Sequence, residues 1–395
     1  MVSVQQNSPV LIAGGGIGGL SAALALASQG IYSHVLEAGA QFSETGAGIQ
    51  IGPNGSRLLR KWGLGEALDA QAGQPESLII GDGPSGRILC EIPFGQTSQN
   101  RYGAPYYVAE RALLHRLLHE KVRQSNNVTL TTNFPVLSVR NTGLGVAAMT
   151  PDGREIEGTA LIGADGAHSR LRLQLFGRQA RPSGLKAWRS TAKPAPDTAD
   201  KNNAIQLWLG PRAHIVRYCC GPDGPLNAVA VTKGSADPQS WGSPGETHHL
   251  KPHFAGWDEN AYRVLQEFDG WMCRPLLEME LLPRWSEGRV TLLGDSAHPI
   301  MPFLASGAVM AIEDAAILAD ELARTPDVPS LAFRQYEARR RGRLARVRRG
   351  TLQMGATYHM QGPMRLARNI VMRAVPSLHL LSRNDWLYSY CTDPV

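Results

Sequence analysis

The feature that most constrains this chain is the glycine run Gly14, Gly15, Gly16, Ile17, Gly18, Gly19, because of what stands on either side of it. A short apolar stretch, residues 9–13, precedes the run, and apolar residues at helical spacing follow over 20–27. A second apolar stretch, 33–36, then ends on Glu37. Strand, tight turn, helix and a second strand closing on an acid is the opening of a nucleotide-binding α/β domain. In such a motif Gly14 permits the tight turn, Gly16 lets backbone approach a pyrophosphate, and Gly19 lets helix and strand pack. The first N–H groups of the helix then face the phosphate charge. Glu37, about 20 residues beyond the turn, is placed to accept hydrogen bonds from the hydroxyls of an adenosine ribose. On its own the motif does not separate FAD from NAD.

With 395 residues, 43% of them hydrophobic, the chain can bury large cores, and it is expected to divide into two domains. Residues 1–9 are polar and the apolar run after them is broken at once by glycines, so no secretory signal is read and a cytoplasmic protein is expected. Residues 369–381 are interrupted by Arg373, Pro376 and His379, well short of the roughly 20 apolar residues of a spanning helix, so no membrane partner is expected. The five cysteines, Cys90, Cys219, Cys220, Cys273 and Cys391, show no CxxC or Cys/His spacing and are odd in number. Neither a disulfide framework nor a metal site is expected from them.

A net charge of +6 would suit a nucleic-acid partner, yet eight arginines crowd into residues 334–349 alone. The favoured reading is a solvated basic helix face with no nucleic acid bound, the charge surplus serving to attract anionic substrates and pyridine nucleotides.

Further along, residues 46–54 read as a glycine-rich loop, 56–68 as a short amphipathic helix, 78–93 as β-structure and 110–122 as a helix. Short strands are expected over 128–160, with turns at 141–143 and 151–153, and sheet again over 185–234. A polar loop over 237–247 leads into helical segments up to Phe268. A buried strand over 289–293 follows, then a long helix starting near Ser306, with helical sequence continuing to about Leu381.

Two more motifs place a carboxylate beside glycine at a strand end: GADGAHSRLR over 163–172 and RVTLLGDSAHP over 289–299. A carboxylate held there can accept two hydroxyl hydrogen bonds at once. Either aspartate alone is as well explained by an ordinary strand-to-turn position; the three motifs in this order are not. With GAGIQIGPN (46–54), ERALLHRLL (110–118), WLGPRAHIVRY (208–218) and PFLASGAVMAIEDAA (302–316), they resemble the single-component flavoprotein aromatic hydroxylases, the class related to p-hydroxybenzoate and salicylate hydroxylases. The resemblance runs from Val10 to Tyr390. It is strongest to the members that are salicylate hydroxylase-like, 3-hydroxybenzoate 6-hydroxylase-like and 6-hydroxynicotinate 3-monooxygenase-like.

The resemblance implies an FAD-dependent monooxygenase that hydroxylates a small phenolic or hydroxy-aromatic acid of the salicylate or hydroxybenzoate type. NADH or NADPH would visit transiently and O2 would react by way of a flavin C4a-hydroperoxide; a related enzyme acting on an N-heterocycle or secondary metabolite is the alternative. The implied fold is α/β, with two domains. A Rossmann-like FAD-binding domain (1–76, 105–182, 285–350) would be interleaved with a β-sheet substrate domain (77–104, 183–284) and followed by C-terminal helices (351–395). Whether the chain pairs as a homodimer is left open.

By the same resemblance Asp295 would bind the FAD ribityl chain, and Asp165 would sit where FAD and pyridine nucleotide come close. Arg111 would contact the phosphates or ribityl chain, and the backbone near Val136 the adenine. Gly48 belongs to the same cofactor set. Pro302, Gly307 and Ala308 would lie beside the isoalloxazine, where unpaired N–H groups could stabilise negative charge on the reduced ring. For the substrate the resemblance implicates His214 and Tyr218, which would orient or deprotonate the phenol. If 207–219 is a strand pair, these two share a face while Arg217 points away. A histidine titrating near neutral pH could take that proton. A satisfied sheet histidine and a packed tyrosine remain the alternative. Gln50, Trp188 with its neighbour Arg189, Pro299, and Ser306, where the family usually carries glutamine, complete the substrate candidates. His298 is as well read as structural beside Pro299, and Cys219 and Cys220 as packing residues.

Overall fold

The strand Val10–Ala13 is buried along its whole length, and it lies inside a six-stranded sheet. The computed structural model describes residues 8–43, 48–193, 203–234, 244–245 and 247–392. Residues 1–7, 44–47, 194–202, 235–243, 246 and 393–395 lie outside the described residues. The sheet runs in the order Ser286–Glu287, Val290–Leu292, Ala160–Gly163, Val10–Ala13, Ser33–Leu36, Val128–Thr131. All its pairings are parallel except the edge hairpin of Ser286–Glu287 with Val290–Leu292. Helices cover such a sheet on both faces, which is why its strands read as unbroken apolar runs. The helix Ile17–Ser28 packs against Gly307–Arg324.

This topology explains why three motifs far apart in sequence act together. Val10–Ala13, Ala160–Gly163 and Val290–Leu292 are neighbours and parallel, so the turns that follow them emerge at one carboxyl edge, where ligands of open α/β sheets bind.

A second sheet of eight strands runs Pro244–Gly245, Trp271–Glu278, Arg181–Ala192, Leu226–Lys233, Ala213–Cys219, Ala204–Gly210, Ser77–Asp82, Arg87–Pro93. It is antiparallel except where Ala204–Gly210 meets Ser77–Asp82. One face turns toward the nucleotide-binding layer. The other buries Trp188, Ile215, Ala228 and Ala230 against Leu250, Phe254 and Val264, in a core of its own. Both faces are therefore apolar, and no polar alternation in the sequence tells one from the other.

Several elements differ from the sequence expectation. Gly48–Ile51 is not loop but a strand paired antiparallel with Tyr107–Glu110. The helix expected over 56–68 is two, Pro53–Lys61 and Gly65–Gln71, separated at Gly63, whose φ of +79° is left-handed. The helical tail is divided into Gly307–Arg324, Pro329–Tyr358, Gly362–Ala374, Ser377–Ser382 and Asp385–Tyr388. The boundary expected between 350 and 351 falls inside the second of these.

The arginine-rich stretch is a solvated face only in part: Arg334, Arg346 and Arg349 are exposed, but others turn inward. Arg340 and Arg343 are buried and ion-paired with Glu313 and Asp314 of the preceding helix, and Arg339 binds Asp320 and Glu321. The acids that neutralise them stand on another helix, beyond the reach of any single-helix periodicity. No helix among the described residues is long and apolar enough to cross a membrane.

Candidate functional site

A cavity of about 330 Å³ opens at the carboxyl edge of the parallel sheet and is roofed by the antiparallel one. Its lining includes Gly16, Gly48, Gln50, Arg111, His214, Tyr218, Asp295, Pro302, Ser306, Gly307 and Ala308. The remaining sequence candidates, Gly14, Gly19, Glu37, Asp165, Val136, Trp188 and Pro299, are not among its lining residues, although Gly14 and Gly19 flank the lining run Gly16 to Gly18 and Asp165 stands between the lining residues Ala164 and Gly166.

At the glycine end, Gly14 has φ +110° and a Cβ there would fall 2.5 Å from the Ala164 carbonyl oxygen, while a Cβ on Gly19 would fall 1.9 Å from the oxygen of Gly14. Both positions exclude a side chain. The helix Ile17–Ser28 starts with no side-chain cap and no acid in its first turn, so its leading N–H groups remain available to an anion. Glu37 spans two loops, its Oε2 accepting from Gly15 N and its Oε1 from Gly39 N, each at 2.7 Å. Each oxygen retains acceptor capacity for a ribose hydroxyl.

Asp165 Oδ2 accepts from the N–H groups of Arg170 and Leu171, at 2.9 and 3.2 Å. Its Oδ1 is buried with no partner, and the residues on either side, Ala164 and Gly166, line the cavity. An orphaned carboxylate oxygen costs on the order of 1–3 kcal/mol or more, so this one calls for a donor from a bound molecule. Arg172 of the same motif is wholly buried and donates to the carbonyls of Asp295 and Ser296 at 3.1 and 2.9 Å. It thereby ties the Asp165 turn to the Asp295 turn, a structural role the sequence reading did not assign.

Asp295 itself sits in the turn Gly294–Ser296 with its side chain exposed at the cavity. Beyond it, Pro302–Leu304 forms one turn, Ala305 is left-handed at φ +48°, and the helix begins at Gly307. Ser306 precedes that helix, and its buried hydroxyl has no partner. Glycine cradle, uncapped helix, orphaned carboxylate and orphaned hydroxyl fit a dinucleotide cofactor.

The opposite wall is set by strand alternation. His214, Val216 and Tyr218 project into the cavity from Ala213–Cys219, while Arg217 turns away to Glu267 at 2.7 Å. Gly48 must be glycine here, since a Cβ would lie 2.6 Å from the Tyr218 hydroxyl. Gln50 accepts from Tyr106 Oη at 2.8 Å and also hydrogen-bonds Tyr218.

The electrostatics correct two sequence expectations. Burial, with His359 adding to it, holds His214 well below the ordinary histidine value, so it does not titrate near neutral pH. Burial likewise pushes the Tyr218 phenol far up, so Tyr218 stays protonated and can donate a hydrogen bond but not act as a base. The Nδ1 of His214 lies 2.8 Å from Nε2 of His359. That partner is 145 positions away, and no sequence signal pointed to it.

Trp188 is not at the cavity. Its indole donates to Thr232 Oγ1 at 2.9 Å within the second core, and the adjacent Arg189 takes the cavity face instead. The Arg189 guanidinium makes no hydrogen bond or ion pair among the described residues. Burial, and then the charges of Arg111 and Arg274, lower its pKa, opposed only by Tyr218. Pro299 is buried and the neighbouring Ile300 and Pro302 line the space in its place. Val136 packs against the main core, away from the cavity. His298 Nε2 donates to Asp314 Oδ2 at 2.6 Å, a structural position. Burial pushes the Cys220 thiol up to about 12, which suits packing rather than reactivity.

Residues 7–351 match the FAD binding domain family. The chain is 35% identical over 386 residues to 3-hydroxybenzoate 6-hydroxylase of Polaromonas naphthalenivorans, covering 97% of this chain and 96% of that protein. It is 34% identical over 405 residues to 3-amino-4-hydroxybenzoate 2-monooxygenase PtnB3 of Streptomyces platensis, covering 100% and 99%. Among solved structures, HpxO of Klebsiella pneumoniae complexed with FAD and uric acid superposes with a TM-score of 0.84 at 25% identity, covering 96% of each chain. With the glycine cradle and the two orphaned acceptors already in place, these likenesses assign the chain to the FAD-dependent aromatic monooxygenases, as a member of that flavoprotein hydroxylase family.

Proposed function

We propose that this protein hydroxylates a small aromatic acid of the hydroxybenzoate type, and that one observation carries the choice of an acid: the unpaired guanidinium of Arg189. A guanidinium is charged at every physiological pH, and one set in a cavity wall without a carboxylate partner matches an anionic ligand. It lines the same space as His214 and Tyr218. The two enzymes named above for 3-hydroxybenzoate and 3-amino-4-hydroxybenzoate act on rings that bear both a hydroxyl and a carboxylate, which supports the reading.

FAD, when bound and reduced by NADH or NADPH, supplies the activation of O2 that puts one oxygen atom on the ring. The chain's own residues do the rest. Gly16 and the start of its helix would hold the pyrophosphate, Asp295 and Arg111 the ribityl and phosphate groups, and Glu37 the adenosine ribose. Arg189 would fix the substrate carboxylate. Tyr218 would donate to the ring oxygen, and Nε2 of His214, the ring nitrogen not engaged with His359, would accept the phenolic proton. Removing that proton raises electron density at the ring carbons ortho and para to the oxygen. Val216, Val229 and Val231 line the cavity and keep water from the reacting carbon.

The test is substrate-stimulated NADH and NADPH oxidation with product identification, run on 3-hydroxybenzoate, the matching phenol without a carboxylate, and uric acid. Arg189→Gln should lower kcat/KM for 3-hydroxybenzoate on the order of 10²-fold while leaving FAD content and phenol turnover alone. Equal use of acid and phenol by the natural protein would refute the anchor. Turnover of uric acid instead would favour an N-heterocycle, the reading that the likeness to HpxO supports.

A further inference from the structure

We propose that His359 is a positioning residue for proton transfer: acting through His214, it carries the substrate's phenolic proton from the cavity to solvent, and returns one to the product. This rests on the reading above, in which a phenol binds against His214.

The geometry is a two-ring chain. His214 is 5% exposed, yet lines the cavity, and its Nδ1 meets Nε2 of His359 at 2.8 Å. His359 caps the C-terminal end of the helix Pro329–Tyr358 and is half-buried, so it keeps some contact with solvent. Its Nδ1 makes no hydrogen bond to any described residue. One ring therefore faces the substrate, the other reaches the surface, and a single hydrogen joins them.

Two neutral imidazoles can share one hydrogen in only two ways. In the first, His214 carries hydrogen on Nδ1 and offers the Nε2 lone pair to the cavity, while His359 carries hydrogen on its outer Nδ1. In the second, His214 carries hydrogen on Nε2 and His359 on the shared Nε2. These are the states before and after one transfer. The phenol O–H breaks as His214 Nε2–H forms; His214 Nδ1–H breaks as His359 Nε2–H forms; His359 Nδ1–H breaks and its proton passes to water. Both rings stay neutral, the substrate becomes phenolate, and no electron is exchanged. Reversing the same steps reprotonates the product oxygen and restores the first state.

The surroundings explain why a lone acceptor would not serve. An imidazolium at His214 would be buried between the rings of Phe303 and Tyr358, at 5.5 and 5.2 Å, with Arg189 on the same cavity wall. Arg368 stands beside His359 and donates to the carbonyls of Thr357 and Tyr358, and burial followed by that charge pulls His359 down to about 4. Asp82, the acid on this side, is engaged by Arg365 and Arg368, and the Cys90 thiol is held protonated by burial. No carboxylate among the described residues hydrogen-bonds either ring, so nothing stabilises a held positive charge. Passing the proton through avoids forming one.

The experiment mixes FAD-loaded protein with 3-hydroxybenzoate in weak buffer and follows proton release with an indicator dye and phenolate formation by ultraviolet absorption. His359→Gln and His359→Ala should slow both by about 10²-fold, with FAD content and equilibrium substrate affinity retained, and added imidazole should restore part of the rate in His359→Ala. Release from His359→Gln at the natural rate overturns the relay. If the natural protein neither binds nor hydroxylates 3-hydroxybenzoate, the substrate reading fails first, and the two failures are told apart. Histidine ¹⁵N spectra of the unsubstituted protein give an independent check: the shared contact must show one protonated and one unprotonated nitrogen between pH 6 and 9, and two protonated nitrogens there overturn the proposal.

Discussion

Arg340 Nε lies 2.6 Å from Asp314 Oδ1, and neither side chain is exposed to solvent. The other carboxylate oxygen of Asp314 accepts from Gly294 N at 3.0 Å and contacts His298 Nε2 at 2.6 Å. A pairing between two helices thus fixes the turn that presents Asp295 to the cavity. Glu313 extends the cluster to Arg340, Arg343 and Asn54, at 2.7, 2.8 and 2.6 Å.

Arg340→Met should therefore cost more than a contact. It leaves Asp314 and part of Glu313 buried without their counter-charge, a change worth about 3–5 kcal/mol. The expected outcome is a lower urea midpoint together with weaker FAD retention, because the Gly294 turn loses its anchor. Arg340→Lys keeps the charge but replaces a fork that reaches both acids with a point donor, and should fall between the two. A midpoint unchanged in Arg340→Met would show that the cluster adapts.

Stability should fall with acid in two stages. Burial first, then Arg368, lowers His359 to about 4 from the ordinary 6.5, so between those values the unfolded chain binds a proton that the folded one does not. Stability is then full above pH 6.5 and is lost as pH falls toward 4, with His214 acting in the same direction. Burial alone would raise Asp314, but His298 and Arg340 bring it down to about 2, so its contribution persists until pH falls from 3.8 toward 2. Melting temperatures measured from pH 8 to 3 should show the first stage shallower in His359→Gln. Identical pH profiles would mean that His359 is protonated in the folded protein.

How much of this was legible in the sequence depended on the range of the interaction. The three glycine and carboxylate turns could be read because each is local and the parallel topology, itself implied by strand-helix-strand order, brings them together. His214 and Tyr218 were implicated by the resemblance, and the period of two in a strand set them on one face. That period could not choose between Trp188 and Arg189, since both faces of their strand are buried and composition does not reveal which of the two meets the cavity. His359 and the acids that neutralise Arg340 and Arg343 were invisible, because each contact joins residues on separate elements that only the folded chain brings together.

Gly19→Ala tests the part that was legible. The new Cβ would stand 1.9 Å from a backbone oxygen, that of Gly14, which no rotamer change relieves. The helix Ile17–Ser28 must then move off the strand Val10–Ala13, at a cost of about 1–3 kcal/mol or more. The N–H groups that face the pyrophosphate move with it. Purified Gly19→Ala should be colourless or bind FAD far more weakly in a flavin-fluorescence titration, and normal occupancy would contradict the cradle.

Ser306 stands where the sequence resemblance leads one to expect glutamine, and its hydroxyl is buried without a partner at the cavity. An unpaired buried hydroxyl gives no stability of its own, so Ser306→Ala should leave the urea midpoint unchanged or slightly raised. If the hydroxyl is instead completed by substrate, the same change removes one hydrogen bond, worth roughly 1 kcal/mol, and raises KM about 5-fold. Ser306→Gln should act differently, filling part of the 330 Å³ cavity and raising KM more for ring-substituted acids than for 3-hydroxybenzoate. FAD affinity should be the same in all three proteins, since the contact concerns the substrate end. Measuring KM, flavin binding and unfolding on one set of samples separates these effects, and a shift in flavin affinity with KM constant would move Ser306 from the substrate to the cofactor.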